Sequence, residues 1–345
     1  MKKFNTQIAI FFLVFILSSC HKKEQVVNRS FYYWQTVVSI SDVQKNLLEE
    51  LDVKKMYFKF FDITWNENTA QPIPAADIIF EQKPPSPIEI VPVIFITNES
   101  LEKISSEDIK TLAFKICKKI NSILEQNSLA TPIEIQIDCD WNTSTKEKYF
   151  SLLKEMQKFP LFETCIWSAT IRLHQIAHSS ETGVPPVNRG ALMFYNMGNI
   201  EDASTSNSIY DKAIAESYLN QSENYPLPLD AAIACFSWGL VYDHEKLIRI
   251  IYPLTLNSID TQDFTLTKKN QFSANRDFYF HGIYMVKGNM IRLETMTPDL
   301  SKESAEQLSH FVKNDSLSVI LYQFDSTIIN TFQYEGFNTL YHQFE

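Results

Sequence analysis

The stretch Ile133-Glu134-Ile135-Gln136-Ile137-Asp138-Cys139-Asp140-Trp141 alternates without a break, with isoleucine and cysteine at one parity and Glu134, Gln136, Asp138 and Asp140 at the other. A period of two is the signature of a β-strand, whose successive side chains point to opposite faces. The run Ile166–His174 behaves alike, with Ala169, Ile171 and Leu173 opposing Ser168, Thr170, Arg172 and His174. Six further apolar runs share this length: Phe31–Gln35, Met56–Asp62, Ile90–Thr97, Ala191–Asn196, Ala232–Trp238 and Val319–Asp325. Segments with helical spacing lie between them, at Asp42–Leu51, Glu107–Gln126, Lys146–Lys158, Tyr210–Gln221 and Lys302–Lys313. Strands that alternate with helices form a parallel sheet covered by helices. Eight of them in a chain of 345 residues predict an α/β fold, a (β/α)8 TIM-like barrel, rather than an open doubly wound sheet.

Two segments depart from the repeat. Pro72–Pro87 has no helical spacing and reads as a long loop. Asp277–Tyr284 and Asn289–Glu294, joined through Lys287-Gly288, read as a β-hairpin inserted before the last strand. With no repeat and no linker rich in glycine or serine, residues 31–345 are expected to form a single barrel domain.

The N-terminus states an address. Lys2 and Lys3 precede an unbroken apolar run from Ile8 to Leu17, too short to span a bilayer as a helix and of the right length for a secretory signal. It ends in Leu17-Ser18-Ser19-Cys20, which resembles the lipobox of bacterial lipoproteins. That resemblance implies a signal peptide at residues 1–19, cleavage before Cys20 and a lipid on its thiol. Residues 20–30 then read as the lipidated cysteine and a polar tether, and the expected location is the bacterial cell envelope, with the outer membrane favoured over the inner.

Charge and composition narrow the function. The formal net charge is −10; loss of Lys2 and Lys3 with the signal leaves 29 basic against 41 acidic residues, or −12. No cluster of lysine or arginine interrupts this, which argues against a nucleic-acid partner. Only seven glycines occur, the first at Gly183, so the N-terminal half contains no glycine-rich phosphate loop or dinucleotide fingerprint. Cys117, Cys139, Cys165 and Cys235 sit in apolar segments without a CxxC pair, and read as buried thiols rather than a disulfide framework or zinc site. No metal or cofactor is expected.

In a barrel the polar parity of Ile133–Asp140 faces the lumen, where Asp138 and Asp140 need partners that Arg172 and His174 on the next strand can supply. Lys59 is a further candidate cation for the lumen. Catalytic groups of such barrels lie at the C-terminal ends of strands, where the sequence places Asp138, Asp140, Arg172 and His174 as candidate catalytic residues. Trp34, Asp62, Trp65, Trp141, Asn196, Trp238 and Asp325 fall at similar positions and are candidates for substrate binding, the tryptophans by stacking on sugar rings. Asp140 is the candidate acid or base, Asp138 the carboxylate held ionised by Arg172 or Lys59, and Asp325 or Glu294 the candidate second carboxylate.

The motif IQIDCDW at 135–141 resembles the strand-end signature of the chitinase-like glycoside hydrolases, in which acids alternate along a barrel strand and finish at a catalytic glutamate. Asp138 and Asp140 match the inner aspartates, and Asn142 stands where the glutamate would be. More broadly, FYYW at 31–34, FKFFDITW at 58–65, IQIDCDW, SATIRLHQ at 168–175 and GVPPVNRGALMFYNMG at 183–198 resemble a family of uncharacterised bacterial lipoproteins with a TIM-barrel-like fold. These resemblances imply a membrane-anchored lipoprotein with a glycoside-hydrolase-like barrel that acts on glycans through acid and base carboxylates. The competing reading is a non-catalytic surface lipoprotein that binds glycan or scaffolds a partner, and it draws on Asn142.

Overall fold

The computed structural model describes residues 25–222 and 225–345. The signal peptide and Cys20 lie outside the described residues. Eight parallel strands close into a barrel: β1 (Val26–Tyr33), β2 (Lys55–Asn66), β3 (Glu89–Ile96), β4 (Glu134–Asp138), β5 (Ile166–Arg172), β6 (Arg189–Met193), β7 (Leu229–Ala234) and, after an insertion of seven strands, β15 (Ser316–Tyr322). Closure is explicit in the register, since β1 pairs with β15 through Phe31 and Leu321, and with β2 through Phe31 and Met56. Each of the eight apolar runs supplies one barrel strand. The first begins at Val26, so Val26–Ser30, within the stretch read as tether, belongs to the barrel wall, and Ser30 is fully buried.

Helices cover the outside because one stripe of each is apolar. Ile109–Gln126 buries Leu112, Ala113, Ile116, Ile120 and Ile123, spacings of one helical face. The helix before the final barrel strand starts at Pro298, capped by the Thr297 side chain, four residues before the sequence reading places it. Proline suits that first helical position, where no N–H partner is needed. Between β2 and β3 there is no helix among the described residues; instead Gln71–Ala75 folds back antiparallel on the end of β2. Cys117, Cys139, Cys165 and Cys235 are buried and unbridged.

The insertion is larger than the hairpin the sequence suggested. It comprises β8 (Ser237–Asp243), β9 (Lys246–Ile251), β10 (Phe264–Lys268), β11 (Gln271–Ala274), β12 (Phe278–Phe280), β13 (Ile283–Met285) and β14 (Met290–Thr295). Five of these form an antiparallel sheet in the order β9-β8-β14-β11-β10. The two arms proposed for the hairpin do not pair with each other: β12 pairs with β13, while β14 lies between β8 and β11. The insertion has its own apolar cluster, in which Val241, Ile251, Phe264, Phe272 and Ile291 pack together. Its first strand contains Trp238, which the sequence had assigned to a barrel strand that in fact ends at Ala234.

Polar residues fill the lower lumen in complementary pairs. Lys55 donates to Glu134 at 2.8 Å, and Ser168 donates to the same carboxylate at 2.7 Å. Tyr32 donates across the lumen to Gln136 at 2.6 Å. Arg189 grips Asp230 through two bonds, of 2.7 and 2.5 Å. The alternation of β4 thus does what its parity predicted, with Ile135 and Ile137 under the helices and Glu134, Gln136 and Asp138 inside.

Candidate functional site

A cavity of about 430 Å³ opens at the C-terminal mouth of the barrel. Its polar floor comes from Lys59 and Asp62 in the middle of the long strand β2, Asp138 ending β4, Asp140 just beyond, and Arg172 ending β5. Its walls are aromatic, formed by Trp34, Tyr195, Phe236, Trp238, Tyr252 and Tyr322. The rings touch in series: Trp34 to Tyr322 at 5.8 Å, Tyr322 to Tyr195 at 5.5 Å, Tyr322 to Phe236 at 5.6 Å and Phe236 to Trp238 at 5.2 Å. A smaller pocket of about 310 Å³ adjoins it and shares Asp140, Arg172, Tyr195 and Asn196.

The charged groups are paired unequally. Arg172 clamps both oxygens of Asp140, from Nε at 2.5 Å and Nη2 at 3.0 Å. The geometry is bidentate, the strongest form such a pair takes. Asp140, the candidate acid or base of the sequence reading, is thus held in an ion pair. Lys59 donates to one oxygen of Asp62 at 3.1 Å and lies over the Trp34 ring at 5.9 Å; the other Asp62 oxygen is buried without a hydrogen bond. Asp138 accepts from Thr170 at 2.6 Å. Burial pushes its carboxyl up to about 6, and although Arg172 pulls the other way, Asp140 and Asp62 add to the rise. Arg172 pulls toward the ionised form, as the sequence reading expects, but its guanidinium is bonded to Asp140, Lys59 is bonded to Asp62, and desolvation outweighs the remaining pull. The Tyr195 hydroxyl is also buried and without a hydrogen-bond partner, on a residue 4% exposed.

Other sequence candidates take supporting places or lie elsewhere. His174 is not on the strand, because β5 ends at Arg172 and the chain turns into a short helix, Leu173–Ala177. It lines the smaller pocket, and burial lowers its pKa. Asn196, with a left-handed φ of 56°, lines both cavities. Trp141 is fully buried outside the lumen, stacked on Tyr149 at 5.2 Å, and its indole donates to the Thr182 carbonyl. It is a core residue, as its parity with the isoleucines implies. Trp65 sits in a separate surface groove beneath Lys103. Asp325 caps the helix Ser326–Tyr341 and accepts from Tyr252 at 2.8 Å, so it positions a cavity wall instead of lining the cavity. Glu294 is buried against Arg292 at 2.7 Å and accepts from the Trp238 indole at 2.8 Å. Neither acid reaches the mouth as a second carboxylate.

Asn142 lines neither cavity. Its side-chain oxygen accepts from the backbone N–H groups of Ser144, at 2.8 Å, and Thr145, at 3.1 Å, and shapes the entry to the helix Lys146–Met156. Replacing Asn142 with alanine is expected to cost about 1 kcal/mol of stability through these bonds and to leave the cavity's affinity for ligand unchanged. Chemical denaturation and calorimetric titration measure the two; a loss of affinity would place Asn142 in the site.

The chain matches no family model and no curated protein. Solved structures do resemble it. The spore cortex-lytic enzyme SleL of Bacillus cereus superposes with a TM-score of 0.53 at 11% identity, over 93% of this chain and 75% of that one. A class V chitinase from Nicotiana tobaccum gives 0.51 at 10% identity, over 93% and 99%. A chitinase from Chromobacterium violaceum gives 0.50 at 10%, over 92% and 98%. The barrel has the fold of the chitinase-like glycoside hydrolases. Identity this low shows shared architecture, and chemistry has to be argued from the site itself.

Tyr195, Phe236, Tyr252 and Tyr322 were not singled out in the sequence. Tyr195 and Tyr322 were within reach of the same reasoning, since each lies at the C-terminal end of a recognised strand beside a chosen polar residue. Tyr252 had no such signal because the insertion carries it to the mouth.

Proposed function

We propose that the protein is a lipoprotein of the bacterial envelope, anchored through Cys20, that binds a glycan at the mouth of its barrel. The observation that carries this reading is the wall of aromatic rings around a polar floor, with the glutamate position of the chitinase-like motif filled by an asparagine that shapes a helix entry. Sugar rings stack their C–H faces on aromatic side chains and present hydroxyls to carboxylates and arginine, which is what wall and floor offer. A mutant of the Nicotiana class V chitinase has also been solved in complex with NAG4, which supports a carbohydrate as the class of ligand. Every barrel strand starts at the rim opposite the mouth, and β1 starts only six residues after Cys20. A lipid there would hold the mouth facing away from the membrane.

Hydrolysis is the second reading, and one group favours it. Asp138, with its carboxyl near 6, is suited to proton donation. A partner carboxylate would have to be Asp62, one oxygen of which Lys59 leaves free, because Arg172 holds both oxygens of Asp140. The two readings separate in one assay: titration of a glycan panel is expected to show binding, while reducing ends do not accumulate. Release of reducing ends that disappears in Asp138→Asn would establish hydrolysis instead.

The cavity also sorts the tryptophans. Trp34→Ala and Trp238→Ala are each expected to weaken glycan binding about tenfold, as the loss of one stacking face does, and Trp65→Ala to leave it unchanged. Equal effects for all three in titration would refute the placement of the site.

A further inference from the structure

The charges at the barrel mouth do not balance. Three carboxylates, Asp62, Asp138 and Asp140, face two cations, Lys59 and Arg172. Each cation is committed to one acid, Lys59 to Asp62 and Arg172 to Asp140. Asp138 is the odd one, and its only hydrogen bond among the described residues comes from the Thr170 hydroxyl. Unused hydrogen-bonding capacity lies beside it. One oxygen of Asp62 is buried without a donor. The Tyr195 hydroxyl, on a side chain more than nine-tenths buried in the cavity wall, is also unpartnered. Unmet buried acceptors beside an uncompensated acid are expensive in an empty site and favourable once a charged donor fills them. The surrounding rings present π faces, which also attract cations.

We propose that the sugar seated in the mouth carries a free ammonium group, so that the ligand is an amino-sugar glycan without N-acylation, held between Asp62 and Asp138. This rests on the glycan-binding reading and narrows it. The ammonium supplies the donors that Asp62 and Tyr195 lack and the positive charge that Asp138 lacks, while its ring lies against the aromatic wall. An N-acetyl group on the same nitrogen removes the charge and two of the N–H donors. The net charge of −10 on the whole chain adds a long-range field that draws cationic oligomers to the protein.

The test is calorimetric titration of the full-length chain in detergent micelles with three probes: the tetramer of glucosamine, the tetramer of N-acetylglucosamine, and spermidine, which carries ammonium groups without sugar rings. The glucosamine tetramer is expected to bind at least tenfold more tightly than either of the others. Asp62→Asn and, independently, Asp138→Asn are each expected to remove most of that preference while leaving the weaker binding of the acetylated tetramer in place. Equal or tighter binding of the acetylated tetramer overturns the proposal and leaves the glycan reading standing. Spermidine binding as tightly as the glucosamine tetramer overturns the sugar and keeps only a cation site. Binding of neither tetramer overturns both readings.

Discussion

Replacing Arg189 with methionine is expected to destabilise the protein by about 3–5 kcal/mol at pH 7.5, the cost of leaving a buried charge without its partner. Asp230 is fully buried on β7, at the end of the barrel opposite the mouth, and Arg189 meets both of its oxygens at 2.7 and 2.5 Å. Without the guanidinium, the Ser318 backbone N–H, at 2.5 Å, is the only donor left to that carboxylate among the described residues. Methionine fills comparable volume, so the loss reports charge rather than a cavity. The pH dependence follows from sign. Burial already raises the Asp230 carboxyl above its ordinary value even with Arg189 present, and removing the arginine raises it further. A native state that binds a proton more tightly than the unfolded chain is favoured as pH falls. The deficit of Arg189→Met should therefore shrink between pH 8 and pH 5. The double substitution Arg189→Met with Asp230→Asn should recover more than half of it at pH 7.5, because a neutral amide replaces the stranded charge. Urea denaturation across pH measures all three variants, and a pH-independent deficit below 1 kcal/mol would show that Asp230 is already neutral in the native protein.

This lower layer of the lumen explains why the fold was legible while the site was only partly so. A barrel strand buried on both faces must alternate two kinds of buried residue, and in β4 one kind is polar because the lumen is filled with matched charges. That alternation is a local property of residues 133–140, visible without knowledge of partners. The site depends on where partners end up. Arg172 was recognisable as a cation at a strand end, but nothing local says that its Nε and Nη2 both go to Asp140 and leave Asp138 alone. Trp141 and Trp34 look equivalent in a list of strand-end tryptophans, yet Trp141 shares the parity of the helix-facing isoleucines and Trp34 packs at the mouth. Trp238, Phe236 and Tyr252 depend on the insertion, whose five-stranded sheet comes from short strands paired out of sequence order. For such pairing the chain carries turn signals but no register.

Asp325 and Glu294 show how an acid near a site can serve it without joining it. Asp325 spends one oxygen on the backbone at the start of the last helix and the other on the Tyr252 hydroxyl. Glu294 holds the Trp238 indole. Two of the aromatic walls are thus fixed by buried carboxylates from behind. Rigid walls lower the ordering cost of binding, which favours a recognition site set before the ligand arrives.

The group that decides between recognition and a purely structural ion network is Asp138, and Asp138→Asn should stabilise the protein at pH 8 by up to about 3 kcal/mol. The carboxyl titrates near 6 in the folded chain against about 3.9 in an unfolded one, and each pKa unit corresponds to about 1.4 kcal/mol. Because the folded value is raised, the stability contributed by this group is fully present below pH 4 and is lost as pH rises through 6. Asparagine keeps an oxygen to accept from Thr170 and cannot ionise, so wild type and variant should be nearly equal at pH 4 and diverge up to about pH 7, with the variant the more stable. Thermal or urea unfolding at pH 4, 6 and 8 reads this divergence directly. If Asp138, Asp140 and Arg172 formed a network whose only task was to hold the barrel together, removing the Asp138 charge would destabilise the protein at pH 8. A gain in stability at pH 8 would show that this carboxylate costs the fold, and on the proposed glycan-binding reading glycan affinity should fall in the same variant.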